Sequence, residues 1–387
     1  MTYRLSRRSS NLSPFHVMDI LAQAKKLSQQ GRTIYHMEVG EPDFPTAECI
    51  VNTGIDALKL FKTHYTPALG LAELRDAVAE YYDRKFSVKI DPQRVVITPG
   101  ASGALQLAIA CLLDAGENVL LSDPGYPCNR NIAEVMAAEA IAIPVTAESD
   151  YQLNAALVAK HWNKKTRAAI VATPSNPTGT LLPKKQLIAL CQLIEQNKGR
   201  LIVDEIYQGL VYDADDYTAL AFSDECFVIN SFSKYFGMTG WRIGWMVVPE
   251  DYVGAIDRIA QNIFLAPPTI SQHAALTALK DETQIELDAR RDEFKRRRDF
   301  LLPALEQLGF EIAVKPQGAF YIYTNCERFT DDSFSWAKQL LNEQGVAITP
   351  GIDFGTYLAN KHCRFAYTQS LEILEQAVDK IGSFIRR

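Results

Sequence analysis

Residues 168–206 read AAIVATPSNPTGTLLPKKQLIALCQLIEQNKGRLIVDEI. Two runs, AAIVATP (168–174) and RLIVDEI (200–206), are nearly continuous in apolar character, as strands buried on both faces are. Between them, PKKQLIALCQLIEQNKG has Pro183 near its first turn and ends at Gly199, a start and stop pair for a helix. Strand, helix, strand of this length implies a right-handed crossover and parallel strands.

The same texture extends outward. VVITP (95–99), NVLLSD (118–123) and AIAIPV (140–145) precede this unit, and FVINSFS (227–233) and GWMVVP (244–249) follow it. SGALQLAIACLLDAG and CNRNIAEVMAAE supply further helices. The last two strand candidates are joined only by a loop, so one of them is antiparallel. An α/β fold is therefore predicted: a three-layer αβα domain around a seven-stranded, mostly parallel sheet.

From about residue 281 the pattern changes. TQIELDARRDEFKRRRDFLLPALEQLG reads as a long charged amphipathic helix leading to a smaller α+β domain that contains AFYIYTN and VAITPG. The predicted division is an N-terminal arm and segment (1–45) packing with the small domain, a large domain (46–280) and a small C-terminal domain (281–387). In ARRDEFKRRRD acidic residues are interleaved with basic ones, which predicts a solvated helix face rather than a nucleic-acid patch. No internal repeat or low-complexity linker interrupts the chain.

The 387 residues are 47% hydrophobic and 22% charged, with a formal net charge of −6. That balance gives no footing for nucleic acid or an anionic membrane. The opening TYRLSRRSSNLS carries three arginines but no following apolar region or cleavage site, so a solvated arm is expected. The longest apolar stretch, LQLAIACLL, ends at Asp114, well short of the roughly 18 residues of a membrane span. Seven cysteines are scattered singly from Cys49 to Cys363, which reads as reduced thiols in a cytoplasmic protein. Six histidines occur without an H-E-x-x-H pair, and no metal site is expected.

Ser231-Phe-Ser-Lys-Tyr-Phe-Gly-Met-Thr-Gly-Trp-Arg-Ile-Gly-Trp245 carries the most chemistry. Lys234 follows a buried strand, where lysine rarely sits without a task. Ser231, Ser233 and Arg242 beside it suit a phosphate. Lys234 then either neutralises phosphate charge or acts as a nucleophile, and this segment alone leaves both readings open. Asp204 ends the strand RLIVD, where open α/β sheets bind ligands. It is a helix cap, a magnesium ligand, or the partner of a cofactor's pyridine nitrogen, which a carboxylate keeps protonated. Tyr207, three residues on, can reach the phenolic oxygen of such a ring.

Gly100-Ala-Ser-Gly-Ala104 opens a helix and offers backbone N–H groups to an anion. It matches neither G-x-G-x-x-G nor a Walker loop, so dinucleotide and P-loop readings are poor. Asn176-Pro-Thr-Gly179 is a turn signal, yet Asn176 shares the strand-end rim with Asp204. Tyr126, in DPGYP, can stack on a flat ring. Arg364, in CRFAY, is a surface charge unless it faces the rim, where its fork can hold a carboxylate.

Together these residues resemble the class I/II aminotransferases, the fold type I pyridoxal phosphate enzymes, of the aspartate and aromatic type. The matches run in family order: GEPDF (40–44), YTPALGLAELR (65–75), TPGASGAL (98–105), PGYP (124–127), NPTG (176–179), DEIY (204–207), SFSKYFGMTGWRIGW (231–245), GAFY (318–321) and CRFAY (363–367). Singly each is weak; the ordered set spans almost the whole chain.

The resemblance implies roles. Lys234 corresponds to the Schiff-base lysine and proton shuttle, Asp204 to the ring-nitrogen partner, and Tyr207 and Asn176 to the partners of the ring oxygen. Tyr126 corresponds to the stacking residue. Ala101, Ser102, Ser231, Ser233 and Arg242 resemble the phosphate cup. Arg364, assisted by Asn176, resembles the α-carboxylate anchor, and Gly40 the glycine on a segment closing over substrate. Tyr65 resembles the residue reaching the cofactor of a neighbouring subunit, which implies a homodimer with sites at the interface.

The implied reaction moves an amino group from an L-amino acid to a 2-oxo acid such as 2-oxoglutarate, in amino acid metabolism. Aspartate, alanine or a broad aliphatic and aromatic range remain open as donors. Some aspartate-specific relatives carry a lysine where this chain has Ser102, a departure that weakens a simple aspartate assignment. A carbon–sulfur β-lyase would use the same lysine and aspartate. A pyridoxal phosphate-binding regulator would need a DNA-reading module, for which the roughly 40 residues before GEPDF are too few.

Overall fold

The computed structural model describes residues 4–12 and 14–386. Its strands are β1 (Tyr35–Met37), β2 (Val95–Thr98), β3 (Asn118–Asp123), β4 (Glu139–Pro144), β5 (Thr166–Ala172), β6 (Arg200–Asp204), β7 (Phe227–Ser231), β8 (Gly244–Val247), β9 (Tyr321–Asn325), β10 (Val346–Pro350) and β11 (His362–Ala366). β2–β8 form a seven-stranded sheet in the order β2-β8-β7-β6-β5-β3-β4. All seven expected strands are present, and β8, reached by the loop, is the antiparallel one, pairing with both β2 and β7.

Both-face burial explains the continuous apolar runs. Along β5 and β6, Ala169, Val171, Leu201 and Val203 join the apolar cluster on one face of the sheet. Their neighbours Ala168, Ile170 and Ile202 join the cluster on the other face, beneath helices Gly100–Leu112 and Glu250–Ile263. Alternation with period two thus places apolar residues against helices on either side, giving three layers.

Helix Lys184–Gln196 starts just after Pro183, as expected. Its stop differs. Lys198, not Gly199, takes the left-handed conformation, at φ +56°. Gly199 serves packing instead, since a Cβ there would strike the Trp162 indole. The helix expected over CNRNIAEVMAAE runs only Pro127–Val135, because Ala137 turns to φ +65°.

The long helix spans Asp281–Leu308 and ends on Gly309 at φ +97°. Its outer face is solvated and carries pairs such as Arg296–Glu293 at 2.7 Å. Arg297 and Arg298 are an exception to the expected solvated face, because both are buried. Arg297 bonds Asp43 at 2.8 Å, and Arg298 lies 5.0 Å over the Tyr212 ring and bonds Asp213 at 2.5 Å.

A second sheet, ordered β1-β10-β11-β9, draws on both ends of the chain. β1 pairs in parallel with β10, Tyr35 opposite Val346, and helix His16–Gln29 packs on β10. Of the expected basic arm, residues 2, 3 and 13 lie outside the described residues. Within it, Arg7–Asn11 forms a short helix and Arg8 donates to the Val135 carbonyl at 3.1 Å. Among the described residues, no helix is long and apolar enough to cross a membrane.

Candidate active site

Parallel strands bring their C-terminal ends to one rim. β5 and β6 pair in register, Ala172 opposite Asp204, and β7 ends beside them at Ser231. Above this rim lies a cavity of about 490 Å³, closed from the other side by β10, β11 and helix His16–Gln29. Of the residues singled out in the sequence, every one but Tyr65 lines it. Tyr65 stands away from the cavity and is 84% exposed.

One end is built for an anion. Gly100 opens helix Gly100–Leu112 at φ +72°, directing the first-turn N–H groups of Ala101 and Ser102 outward, with no acidic residue in that turn. A Cβ on Gly100 would lie 2.8 Å from Nη2 of Arg242, so glycine is what lets the guanidinium approach the helix start. Arg242 is fixed by a 2.8 Å bond from Nη1 to the Thr239 carbonyl. Ser231 Oγ donates to Ser233 Oγ at 2.9 Å and accepts from the Ser233 N–H at 3.0 Å. Two hydroxyls, a helix start and a guanidinium make a phosphate cradle.

Asp204 and Lys234 occupy the middle. Burial raises the Asp204 carboxyl to about 6, while the Ile206 N–H, which donates to it at 3.1 Å, and Lys234 pull it back. Burial lowers the Lys234 ammonium to about 8; Glu41 opposes this, and Arg364 and Arg242 add to it. Lys234 Nζ donates to the Gly40 carbonyl at 2.6 Å. It sits 5.9 Å over the Tyr207 ring and 5.8 Å over the Phe320 ring. The Tyr207 and Tyr321 hydroxyls are 2.7 Å apart.

Arg364 forms the far end. Nη1 donates to Asn176 Oδ1 at 2.8 Å, and Nη2 donates to the Glu38 carbonyl at 2.6 Å and to Thr349 Oγ1 at 3.1 Å. These partners are neutral, and buried Nε has none. A buried guanidinium with a spare donor is costly unless an anion joins it. Its plane is held between Tyr321 (4.2 Å to the ring centroid) and Phe354 (4.8 Å). Beyond it the wall is apolar: Phe15, Val17, Met18, Leu21 and Phe354.

Sequence reasoning assigned no role to Tyr321, Glu38, Thr349 or Asp353. Tyr321 lay inside GAFY; its hydroxyl occupies the space a Cβ on Gly40 would take. Glu38 contributes a main-chain carbonyl, which no residue type signals. Thr349 faces Arg364 through the β10–β11 register.

The sequence matches the family Aminotransferase class I and II over residues 32–381. The chain belongs to this family. It is 39% identical to a (5-formylfuran-3-yl)methyl phosphate transaminase of Methanocaldococcus jannaschii, over 99% of this chain and 100% of that one. It is 37% identical to a valine–pyruvate aminotransferase of Mycobacterium tuberculosis, over 100% and 99%. The crystal structure of an aminotransferase from Mycobacterium tuberculosis superposes with a TM-score of 0.96 at 36% identity, covering all of both chains.

The protein is thus a transaminase whose cofactor is pyridoxal 5′-phosphate. One feature of the cavity fits that group: the cradle at Gly100, with its helix start, two hydroxyls and guanidinium, suits its phosphate.

Proposed function

We propose that this transaminase takes its amino group from a neutral amino acid with a small or apolar side chain and passes it to a short 2-oxo acid. The carrying observation is the roster of cations. Among the described residues lining the cavity these are Lys234, Arg242 and Arg364, and each has a task. Around the space left for a substrate side chain stand Phe15, Val17, Met18, Leu21 and Phe354. A second carboxylate there would lose water and gain no partner, which costs several kcal/mol. Ser102 stands where some aspartate-specific relatives resemble one another in carrying lysine. A relative of 37% identity named valine–pyruvate aminotransferase agrees with this reading.

The proposed roles are these. Ser231, Ser233, Arg242 and the N–H groups of Ala101 and Ser102 hold the cofactor's phosphate. Asp204 would hold the ring nitrogen in its protonated form. Tyr207 and the amide nitrogen of Asn176 would bond the ring oxygen, and Tyr126 would stack on the ring. Once bound, pyridoxal phosphate supplies an electron sink for the charge left on the substrate Cα. Arg364, oriented by Asn176, Glu38 and Thr349, takes the α-carboxylate. Lys234 removes the Cα proton, and its lowered pKa keeps an appreciable neutral fraction near pH 7. Gly40 and the apolar wall exclude water.

The molecule works as a homodimer in the cytoplasm, within amino acid biosynthesis. Leu58, Leu60, Phe61 and Tyr65 are 52%, 66%, 80% and 84% exposed in the protomer, large apolar groups on one segment that suit a second copy. From there Tyr65 reaches the partner's phosphate cradle. The free state of all seven cysteines suits a reducing compartment. Residues 14–45 and 281–386 act as one unit through the β1–β10 pairing, against 46–280, which the arm touches through Arg8 and Val135.

A half-reaction screen tests the donor. The holoenzyme is mixed with single amino acids, and loss of the visible band of the lysine-bound cofactor is followed. Valine and alanine should convert it and aspartate should not. Rapid conversion by aspartate would mean that a cation arrives from the second protomer. Ammonia and pyruvate from a cysteine conjugate would mark a β-lyase instead.

A further inference from the structure

The apolar wall of the cavity is carried by helix His16–Gln29, and this helix does not cap itself. Phe15 occupies its N-cap position and offers no side-chain acceptor. The two exposed donors are taken by a carboxylate from the other end of the chain. The His16 N–H donates to Asp353 Oδ1 at 2.7 Å and the Val17 N–H to Asp353 Oδ2 at 2.8 Å. Asp353 is 4% exposed and ends the 3₁₀ turn Gly351–Asp353. A carboxylate that accepts two N–H groups at a helix start also gains from the helix dipole.

The segment that follows is clamped onto the rim. The Gly125 N–H donates to the Phe354 carbonyl at 2.8 Å. The Thr356 and Tyr357 N–H groups donate to Asp123 Oδ2 at 2.9 and 3.2 Å. Phe354 itself packs on the Arg364 guanidinium. One short loop therefore touches the N-terminal helix, the DPGY turn that carries Tyr126, and the arginine at the far end of the cavity.

We infer that Asp353 is a positioning residue for donor specificity: by holding helix His16–Gln29, it fixes the distance between the apolar wall and Arg364, and so the length of side chain that fits. This rests on the reading of Arg364 as the α-carboxylate anchor. Phe15, Val17 and Met18 line the same cavity as Arg364, so on this inference a longer side chain on a carboxylate held at Arg364 meets them and a methyl group does not. Asp353 also lines the cavity and feels the charge of Arg364, but its hydrogen bonds go to the helix start, which makes it a positioning residue.

The test compares Asp353→Ala and Asp353→Asn holoenzymes with the unmodified protein. For each, kcat and KM are measured with the shortest and the longest donors the unmodified protein turns over, beside the thermal midpoint. KM for the longest donor should rise about fivefold to tenfold in Asp353→Ala, the worth of one lost helix cap. It should rise less in Asp353→Asn, which keeps one acceptor oxygen. KM for the shortest donor should move by less than about twofold, and kcat should hold for both. Equal changes in KM for the two donors, or no change for the longer one, would overturn the inference. Arg364→Ala reports separately on the anchor: unchanged KM there removes the reading beneath the inference without touching the length comparison.

Discussion

The side chain of Lys234 donates a 2.6 Å hydrogen bond to the backbone carbonyl of Gly40. It joins the rim of the large sheet to the residue that follows β1 and Glu38, which belong to the other side of the cavity. Burial weakens the hold of the same nitrogen on its proton, lowering its pKa to about 8. Lys234→Ala should abolish the visible absorption of the bound cofactor and cut turnover by at least about 10³-fold. Normal turnover in that variant would end the assignment.

The direction of the Lys234 shift gives a pH dependence. The neutral amine attacks the cofactor's aldehyde, and its population grows as pH rises through the folded pKa. Cofactor uptake by stripped protein should accelerate between about pH 7 and 9 and then level off. A rate that climbs toward about pH 10.4 would describe an ordinary lysine instead.

Arg364→Ala removes the guanidinium whose Nε is unpartnered. A charge-assisted pair of this kind is worth about 1.5–3 kcal/mol, so KM for every amino and oxo acid should rise by about 10- to 150-fold. Steady-state kinetics with two unrelated donors decide it. An effect on one donor alone would place the α-carboxylate elsewhere.

Gly100→Ala puts a methyl group 2.8 Å from Arg242 Nη2 at a backbone angle of φ +72°. Strain and displaced guanidinium together should weaken cofactor binding by about tenfold or more. Dialysis against inorganic phosphate, followed by the visible band, measures the loss. Unaltered retention would show that Arg242 does not serve the phosphate.

Phe61→Lys replaces an exposed aromatic side chain on the segment that carries Tyr65. Sedimentation should show a weaker dimer, and cofactor retention should fall with dilution as protomers part. A stable dimer with full retention would locate the interface on another surface.

The seven strands were legible because each is buried on both faces, and a run of Val, Ile and Ala records that directly. Asp204, Asn176 and Lys234 could be read because they sit where apolar runs stop, and parallel strands send such ends to one rim. Relations between distant parts could not. Arg297 and Arg298 looked solvated because their partners Asp43 and Asp213 lie far away in sequence. Asp353 carries no local mark of the helix it caps, 337 residues earlier. Glu38 serves through a carbonyl that every residue possesses. The stop at Lys198 went unseen because Gly199, the better candidate, is reserved by the Trp162 ring.

The pairing of β1 with β10 has a consequence for how the molecule is made. Thr349 closes onto the Glu38 carbonyl across 311 residues. On a ribosome, the large sheet is translated in full before the partner of β1 has emerged. Residues 14–40 must therefore wait beside a nearly finished sheet, with Met37 and the apolar side of helix His16–Gln29 uncovered. The cavity, which needs Gly40 and Arg364 together, can only take shape as the last strand leaves the tunnel. A premature stop between β8 and β11 yields a chain with the whole large sheet and no anchor for substrate.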